Sequence, residues 1–481
     1  MKQSLNFGEG FPPKSIAIVG VSRNDDSKHP GYTGLNLLRI LKGAGFEGRL
    51  YPVNPKASSI EGLKVYPSVA SIPETLDLVT IAVPPSAVPQ VVEDCVAAKA
   101  RNVQICTSGF GETGQAEGKG LESEIRKIAL KGRLRVIGPN CMGFQIPSVR
   151  MQMHADTPSA QGPVAFVSQS GGHARIYLIR GPQLGIGFSK VISYGNALVM
   201  DAPDFLEYLA NDPETRIICM YLEGIKDGRR FMELVRQINP AKPVIIWKGG
   251  LTGSGARAAV SHTGSLAGER RIWDAFFKQT GAIEVHSIDE MGEVTMTFLS
   301  LKPSSGKRAA VLAAGGGSSV ATGDICAEEG IEVPALSPAT KAGLLEFISL
   351  VNQGVANPID VPGVVMDISS LHRTYKLLAA DPKIDVMILH LGAEFFAGPM
   401  VGVIGELQKR ISSSSKLKYQ PKPVIVALSD EGQIRDTEKY AEELREAGTA
   451  AYNSLHRACR ALNRFANYHR FLAETGAQPH S

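Results

Sequence analysis

Short apolar runs recur along almost the whole chain, and each one ends in a turn rich in glycine, serine or proline before a helical pattern begins. In the first part these runs are SIAIVGVS (15–22), LYPVN (50–54), LVTIAVP (78–84), NVQICTS (102–108) and LRVIGPN (134–140). Segments with helical spacing separate them, for example GLNLLRILKGAG and SAVPQVVEDCVAAKA. A strand with one wet face alternates apolar and polar residues, whereas these runs are apolar throughout and belong to strands covered on both faces. Alternation of such strands with helices predicts an α/β fold built on parallel sheets. Ligands of these sheets bind beyond the carboxyl ends of the strands, so function is sought in the turns.

The pattern restarts near Gly162 with PVAFVSQSGG, SKVISYGN, RIICMYLEG and KPVIIWKGG, and again near Gly306 with KRAAVLAAGGGSS, VMILHLGAE and PVIVALSDEG. A chain of 481 residues exceeds what one core holds. The stretch LSLKPSSGK (299–307) has a linker's composition. Three α/β units are expected, 1–145, 146–302 and 303–481. They share an architecture rather than a short repeat, which excludes a solenoid.

Net charge is +4 with the basic residues scattered, so there is no footprint for nucleic acid. The six cysteines are far apart and form no CxxC pair, which predicts reduced, mostly buried thiols. No apolar leader opens the sequence and no run approaches a membrane span. A cytoplasmic protein without membrane contact is expected.

In the first unit IAIVG runs into GVSRNDDSKHPGYTG, and a helix pattern follows. Glycine and serine after a buried strand let backbone N–H groups approach a phosphate at a helix start. A plain βα turn has the same composition, so both readings stand. A dinucleotide site is disfavoured: GxGxxG is absent, and the second strand ends in Asn54-Pro55-Lys56 where an NAD site wants a carboxylate. Lys56 suits a phosphorylated ribose such as that of CoA, or is a solvated surface lysine. The other exits, Val83-Pro84-Pro85, Thr107 to Gly111 and Gly138 to Cys141, should line one crevice. Cys141 has no identifiable partner base, which favours a structural thiol over a nucleophile.

In the second unit KGGLTGSGARAAVSHTGSLAGERR (248–271) holds six glycines between Gly249 and Gly268 and no strand or helix period. Its one nucleophilic imidazole is His262, flanked by hydroxyls and by a helix start. Neutral imidazole attacks phosphorus at pH 7, and hydroxyls with backbone N–H groups hold the resulting phosphoryl oxygens; Arg257 would add charge. An ordinary polar loop histidine is the competing reading. Two neighbouring segments favour the carrier. Ser168-Gln169-Ser170-Gly171-Gly172 follows a strand and opens a helix, a second anion cradle. Glu223 ends the strand MYLEG, where a carboxylate can orient the imidazole, or merely cap a helix.

SHTGSLAG, IGPNCMG, SQSGG, SYGN, DFLEYLANDPETR with YLEGIKDGRRF, and YPVNPK with GLKVYPSV together resemble the α-subunit of the NDP-forming acyl-CoA synthetases, relatives of succinyl-CoA synthetase. The resemblance covers roughly residues 10–470. It implies an N-terminal Rossmann-like CoA-binding domain followed by two flavodoxin-like ligase domains, the last with a glycine turn at Ala314 to Gly317. The implied reaction interconverts carboxylic acid, ATP and CoA with acyl-CoA, ADP and phosphate, through an acyl phosphate and a phosphohistidine.

Carried over by motif, His262 is phosphorylated and Glu223 stabilises it. Gly20, Val21, Ser22, Arg23, Asn54, Lys56, Val83, Pro84, Ser108, Gly109, Phe110 and Asn140 contact CoA. Ser168, Gln169, Ser170, Gly171 and Gly172, with Thr263 and Gly264, lie at the acyl and phosphate groups. No metal is expected on this chain. ATP or ADP and Mg²⁺ belong to an ATP-grasp β-subunit, because neither spare length nor a GxxxxGK[ST] loop is present, and a hetero-oligomer follows. The chain departs from the family at Gly172-His173-Ala174-Arg175 and at GNALVMDAPDF, where the acid, Asp201, comes late. His173 is then a pocket group or a helix-surface residue. A CoA- or acyl-CoA-binding regulator without turnover is the alternative function; an NAD-dependent oxidoreductase ranks below both.

Overall fold

The computed structural model describes residues 7–22, 33–255, 257, 268–313, 316–351, 353–392, 400–413, 421–429 and 434–476. These form three main sheets and the helices that cover them. The first sheet is parallel, in the order β2 (Arg49–Val53), β1 (Ser15–Val19), β5 (Leu78–Ile81), β6 (Asn102–Ile105), β7 (Arg135–Ile137). A small hairpin of β3 (Ser59–Ile60) and β4 (Leu63–Lys64) follows β2. All five residues of β1 are buried, which is why its sequence shows no alternation.

The helix after β1, α1 (Gly34–Ala44), shows the local logic. Thr33 caps its start by accepting from the Asn36 N–H at 3.2 Å, Gly45 ends it in the left-handed region, and Leu35, Leu38 and Leu41 bury one face. Each strand stops short of the polar tail of its apolar run, so the glycines, prolines and serines at the exits are turns.

The second sheet has the order β13 (Ile283–Val285), β12 (Val244–Lys248), β11 (Ile217–Leu222), β9 (Gln161–Ser168), β10 (Phe188–Ser193), β8 (Gly143–Gln145). Its strands are parallel except β8, which pairs antiparallel with β10 at the edge. Three residues are too few to show a period, so β8 was not legible in sequence, and the division expected after residue 145 falls just behind it. Gln145 is fully buried there and spends both ends of its amide, accepting from Thr157 Oγ1 at 2.7 Å and donating to the Pro158 carbonyl at 2.8 Å. Helices α2 (Val88–Ala97) and α3 (Ala116–Lys131) serve the first sheet; α4 (Gly171–Gln183), α5 (Ala202–Ala210) and α6 (Gly228–Ile238) serve the second.

The third sheet is parallel, β15 (Ile359–Asp360), β14 (Ala309–Ala313), β16 (Val386–Gly392), β17 (Val424–Ser429), β18 (Ala451–Tyr452). A bidentate pair, Arg308 to Asp385 at 2.7 and 2.8 Å, ties the entries of β14 and β16.

The chain divides into two compact units. The described residues of Met1–Pro182 and Ile186–Met291 form one, and those of Gln183–Gly185 and Gly292–Ala477 the other. The first two sheets therefore share a unit. Among the described residues no helix is long and apolar enough to cross a membrane. All six cysteines are free, five of them buried.

Ile388 lies fully buried in the middle strand of the third sheet. Its replacement by alanine is expected to destabilise that unit by about 2–5 kcal/mol, through lost burial and a cavity. Hydrogen exchange should accelerate at the β14, β16 and β17 amides and remain unchanged in the first two sheets.

Candidate active site

At the exit of β1, Gly20 takes φ +98° and its N–H donates to the Val53 carbonyl at 3.2 Å. A Cβ there would run into the Ala82 carbonyl, and a Cβ on Gly34 would stand 2.8 Å from the Gly20 carbonyl carbon. Strand exits and helix start thus meet backbone to backbone, which only glycine permits. Asn54 holds this turn: its Nδ2 donates to the Val21 carbonyl at 2.6 Å and its Oδ1 accepts the Lys56 N–H at 2.8 Å.

Packing within the chain engages several of the residues expected at the ligand. The Asn54 amide is committed at both ends to backbone, so Asn54 shapes the turn. The side chains of Val21 and Phe110 are fully buried in the core. The N–H groups of Gly109 and Phe110 donate to Oε1 of Glu112, at 2.5 and 3.1 Å, so a carboxylate of the chain itself occupies that pair. Ser22, Lys56, Pro84 and Ser108 are exposed, and Val83 and Asn140 half-buried. Arg23 lies outside the described residues.

The exits of β7 and β10 join the first sheet to the second. The N–H of Asn196 donates to the Pro139 carbonyl at 3.0 Å and that of Leu198 to the Gly138 carbonyl at 2.9 Å. Asn196 Nδ2 donates to Glu112 Oε2 at 2.7 Å and to Glu122 Oε1 at 2.9 Å. Met142 lies so close to Gly171 that a Cβ on Gly171 would strike the thioether, at 2.6 Å from sulfur. The turn Gly138–Met142 therefore lies directly against the start of α4.

The segment before α4 is a self-contained turn. Ser168 Oγ donates to the Ser170 carbonyl at 2.7 Å and accepts the Ser170 N–H at 3.1 Å, and Ser170 Oγ accepts the His173 N–H at 3.3 Å. Ser168 is fully buried and its hydroxyl builds the turn. Gln169 is also buried and reaches across to β11, where its Oε1 accepts from the N–H groups of Glu223 and, at 2.9 Å, Gly224. The half-buried Gly171 and the exposed Gly172 supply the N–H end of a 13-residue helix, the favourable end for an anion.

Glu223 is 5% exposed, and its Oε1 accepts from Tyr221 Oη at 3.2 Å. Lys248, at the end of β12, donates from Nζ to the carbonyl oxygens of Glu223, at 2.8 Å, and of Gly249. Burial pushes the Lys248 ammonium down to about 8, against the pull of the Glu223 carboxylate. The Tyr221 phenol is pushed up, first by burial and then by the charge of Glu223. Tyr194 Oη is buried without a hydrogen-bond partner among the described residues, and burial with the charges of Asp201 and Glu223 raises its phenol well above its ordinary value. Gly224, Ile225, Phe231, Lys248, Trp273 and Phe276 border a cleft of about 640 Å³.

His262, Thr263 and Gly264 lie outside the described residues, and Arg257 is exposed on a neighbouring described position. His173 is not a helix-surface residue. It is half-buried, with its ring 4.3 Å from that of Tyr221 and 4.7 Å from that of Trp247. Arg175 pairs with Asp156. Cys141 is fully buried and its thiol is pushed far up by burial, which leaves no thiolate for nucleophilic attack. Lys248, Glu112 and Asn196 were not singled out in the sequence. A lysine closing an otherwise apolar strand was the signal available for Lys248; the Glu112–Asn196 contact spans 84 positions and left none. Among the described residues no group of His, Cys, Asp and Glu has the makings of a metal site.

Three family models match consecutive parts of the chain: a CoA binding domain over residues 14–147, a succinyl-CoA ligase like flavodoxin domain over 161–298 and a ligase-CoA domain over 309–467. The chain is 38% identical to the alpha subunit of the ADP-forming acetate–CoA ligase II of Pyrococcus furiosus, over 92% of this chain and 93% of that protein. It is 36% identical to the ADP-forming acetate–CoA ligase I of Archaeoglobus fulgidus, over 79% of this chain and 54% of that protein. Among solved structures it resembles the dinucleotide forming acetyl-coenzyme A synthetase 1 of Ca. Korarchaeum cryptofilum in complex with phosphate and ADP. That match has a TM-score of 0.81 at 30% identity and covers 96% of this chain and 97% of the other.

Replacing Gln169 with alanine strips two backbone N–H groups, on Glu223 and Gly224, of their shared acceptor. The expected cost is about 1–3 kcal/mol for each group that stays dry, read as a lower midpoint in urea unfolding of the unit that holds the first two sheets. Gln169→Glu, which keeps an acceptor oxygen, should recover most of it.

Proposed function

This chain belongs to the α-subunits of the NDP-forming acyl-CoA synthetases, and we propose that it carries a phosphoryl group on His262 from an acyl phosphate formed beside CoA to a nucleoside diphosphate held by a partner. Members of this family are ligases that work with CoA and an adenine nucleotide. In the proposed sequence a phosphate oxygen attacks the thioester carbonyl, the C–S bond breaks and CoA leaves as its thiol. An imidazole nitrogen of His262 then attacks phosphorus, the P–O bond to the acyl group breaks, and the carboxylate departs. An oxygen of ADP finally takes the phosphoryl group as the P–N bond breaks. Run in reverse, the same steps make acyl-CoA from a carboxylic acid, ATP and CoA.

The observation that supports this reading most directly is the packing of the Gly138–Met142 turn against Gly171 and the Asn196 turn. A thioester bound along the exits of the first sheet would present its carbonyl at the start of α4, whose N–H end favours phosphate. The turns Gly20 to Arg23, Asn54 with Lys56, Val83-Pro84 and Ser108 to Phe110, together with Asn140, are assigned to CoA, the exposed ammonium of Lys56 to a phosphorylated ribose. Glu223, held rigidly beside α4, is assigned to His262: a carboxylate accepting from one ring N–H leaves the other nitrogen free to attack and favours the cationic phosphohistidine. Residues 1–145 are assigned to CoA, 146–302 to phosphoryl transfer and 303–481 to a ligase-type CoA domain.

A partner ATP-grasp β-subunit is assigned the nucleotide and Mg²⁺. The chain covers 93% of a relative named as a subunit and 54% of one named as a whole ligase, which supports a second module of comparable size. A cytoplasmic hetero-oligomer follows.

Incubation with labelled inorganic phosphate and acetyl-CoA, or another acyl-CoA from a panel, is expected to leave an acid-labile, base-stable label that His262→Ala abolishes. ADP should discharge it only when the β-subunit is present. Label surviving His262→Ala would sink the proposal, and calorimetric CoA binding without any label would favour the regulator that binds without turnover. Lys56→Ala should weaken CoA binding about fivefold, roughly 1 kcal/mol, and leave dephospho-CoA unaffected in the same titration.

A further inference from the structure

Lys248 is almost fully buried, yet among the described residues its ammonium bonds backbone and not a carboxylate. Nζ donates to the carbonyl oxygens of Glu223 and Gly249, and the ammonium stands 5.5 Å from the centroid of the Trp273 ring. A buried lysine aimed at carbonyl oxygens is an expensive way to hold a strand end, because the ammonium loses its hydration. Glu223 is fixed from the opposite side by Gln169, which accepts from its N–H, and on its own carboxylate by Tyr221. The two clamps grip one residue from the two neighbouring strands: Gln169 takes the N–H of Glu223 and Lys248 its carbonyl. The carboxylate is held in turn by the Tyr221 hydroxyl.

We infer that Lys248 is a positioning residue for the phosphoryl-transfer step, its ammonium fixing the backbone of Glu223 so that the carboxylate keeps the orientation that the imidazole of His262 requires. This inference rests on the assignment of Glu223 and His262 made above. Lys248 touches neither substrate nor the reacting atoms in this role; it acts through Glu223.

The titratable and charged groups around the ammonium are the Glu223 carboxylate at the exit of β11, the Tyr221 phenol bonded to it, the His173 ring of α4 against Tyr221, and Arg271 of the helix Arg270–Thr280, which lines the same cleft. Burial brings the lysine to about 8, against an ordinary 10.5. The clamp is fully charged below that value and loses its proton as pH rises through it. Stability runs the other way. The unfolded chain binds the proton more tightly than the folded one, so between about pH 8 and 10.5 this group favours folding increasingly as pH rises. A fall of rate above pH 8 from this cause is therefore separable from alkaline unfolding.

The experiment measures the single-turnover rate of His262 phosphorylation across pH 6–10 in wild type, Lys248→Met and Lys248→Arg, each with the β-subunit bound. Wild type is expected to lose rate with a midpoint near pH 8. Lys248→Met should be about 10- to 100-fold slower at pH 7 and lack that midpoint. Lys248→Arg, which stays charged, should keep a rate within about threefold of wild type at pH 7 and hold it beyond pH 9. A Lys248→Met rate within twofold of wild type, or an alkaline midpoint unmoved in Lys248→Arg, would overturn the inference. Should wild type take up no label at all, the His262 assignment fails. The lysine is then judged by ¹³Cε NMR, its signal identified by its loss in Lys248→Met. A midpoint near 8 that falls in Glu223→Gln upholds the charge coupling between the ammonium and the Glu223 carboxylate, and one at the ordinary lysine value, or unmoved by that substitution, rejects it.

Discussion

The side-chain carbonyl of Gln169 accepts two backbone N–H groups from the neighbouring strand exit, and most of the site's geometry is referred to that contact. Parallel strands are held together along their ladders, but their carboxyl ends must part to let ligands in, and there the ladder can no longer fix the backbone. Gln169 at the end of β9 and Lys248 at the end of β12 take over that task on either side of β11. The exits of three adjacent strands are thereby joined by side chains in place of ladder hydrogen bonds. Both residues are buried, where an unmet N–H or carbonyl is costly, so the contacts are well determined.

A second constraint is steric. Gly20, Gly34 and Gly171 stand where another backbone or the Met142 side chain comes too close for a Cβ. The result is a seam of turns with few side chains between them, along which the exits of the first sheet reach the start of α4. Negative charge inside the seam is handled locally: Glu112 is spread over two peptide N–H groups and the Asn196 amide, which also serves Glu122. Carboxylates can therefore sit beside a crevice assigned to anionic ligands without facing them directly.

Much of this was legible before any coordinates. The apolar runs ending at Val19, Ile81, Ile105 and Val167 marked strands correctly because burial on both faces removes alternation, and the glycine-rich tails marked their exits. Legibility failed where a residue's role depends on what lies opposite. Asn54, Ser168 and Gln169 read in sequence as polar residues at strand exits; that each also bonds backbone of its own turn or of a neighbouring strand was not visible there. Phe110 follows an exposed serine and is nevertheless fully buried. β8 is three residues long, too short for a period, and reaches the second sheet only through its pairing with β10.

Local order along the chain thus determined the fold class, the family and the set of turns that matter, because periodicity, turn chemistry and motif order are properties of neighbouring residues. Which of those residues face a ligand and which hold the others in place was decided only in three dimensions. Two partners of the Glu223 backbone come from positions 54 residues earlier and 25 later. Hydrogen bonds between groups so far apart exist only once the sheet has brought its strand ends side by side.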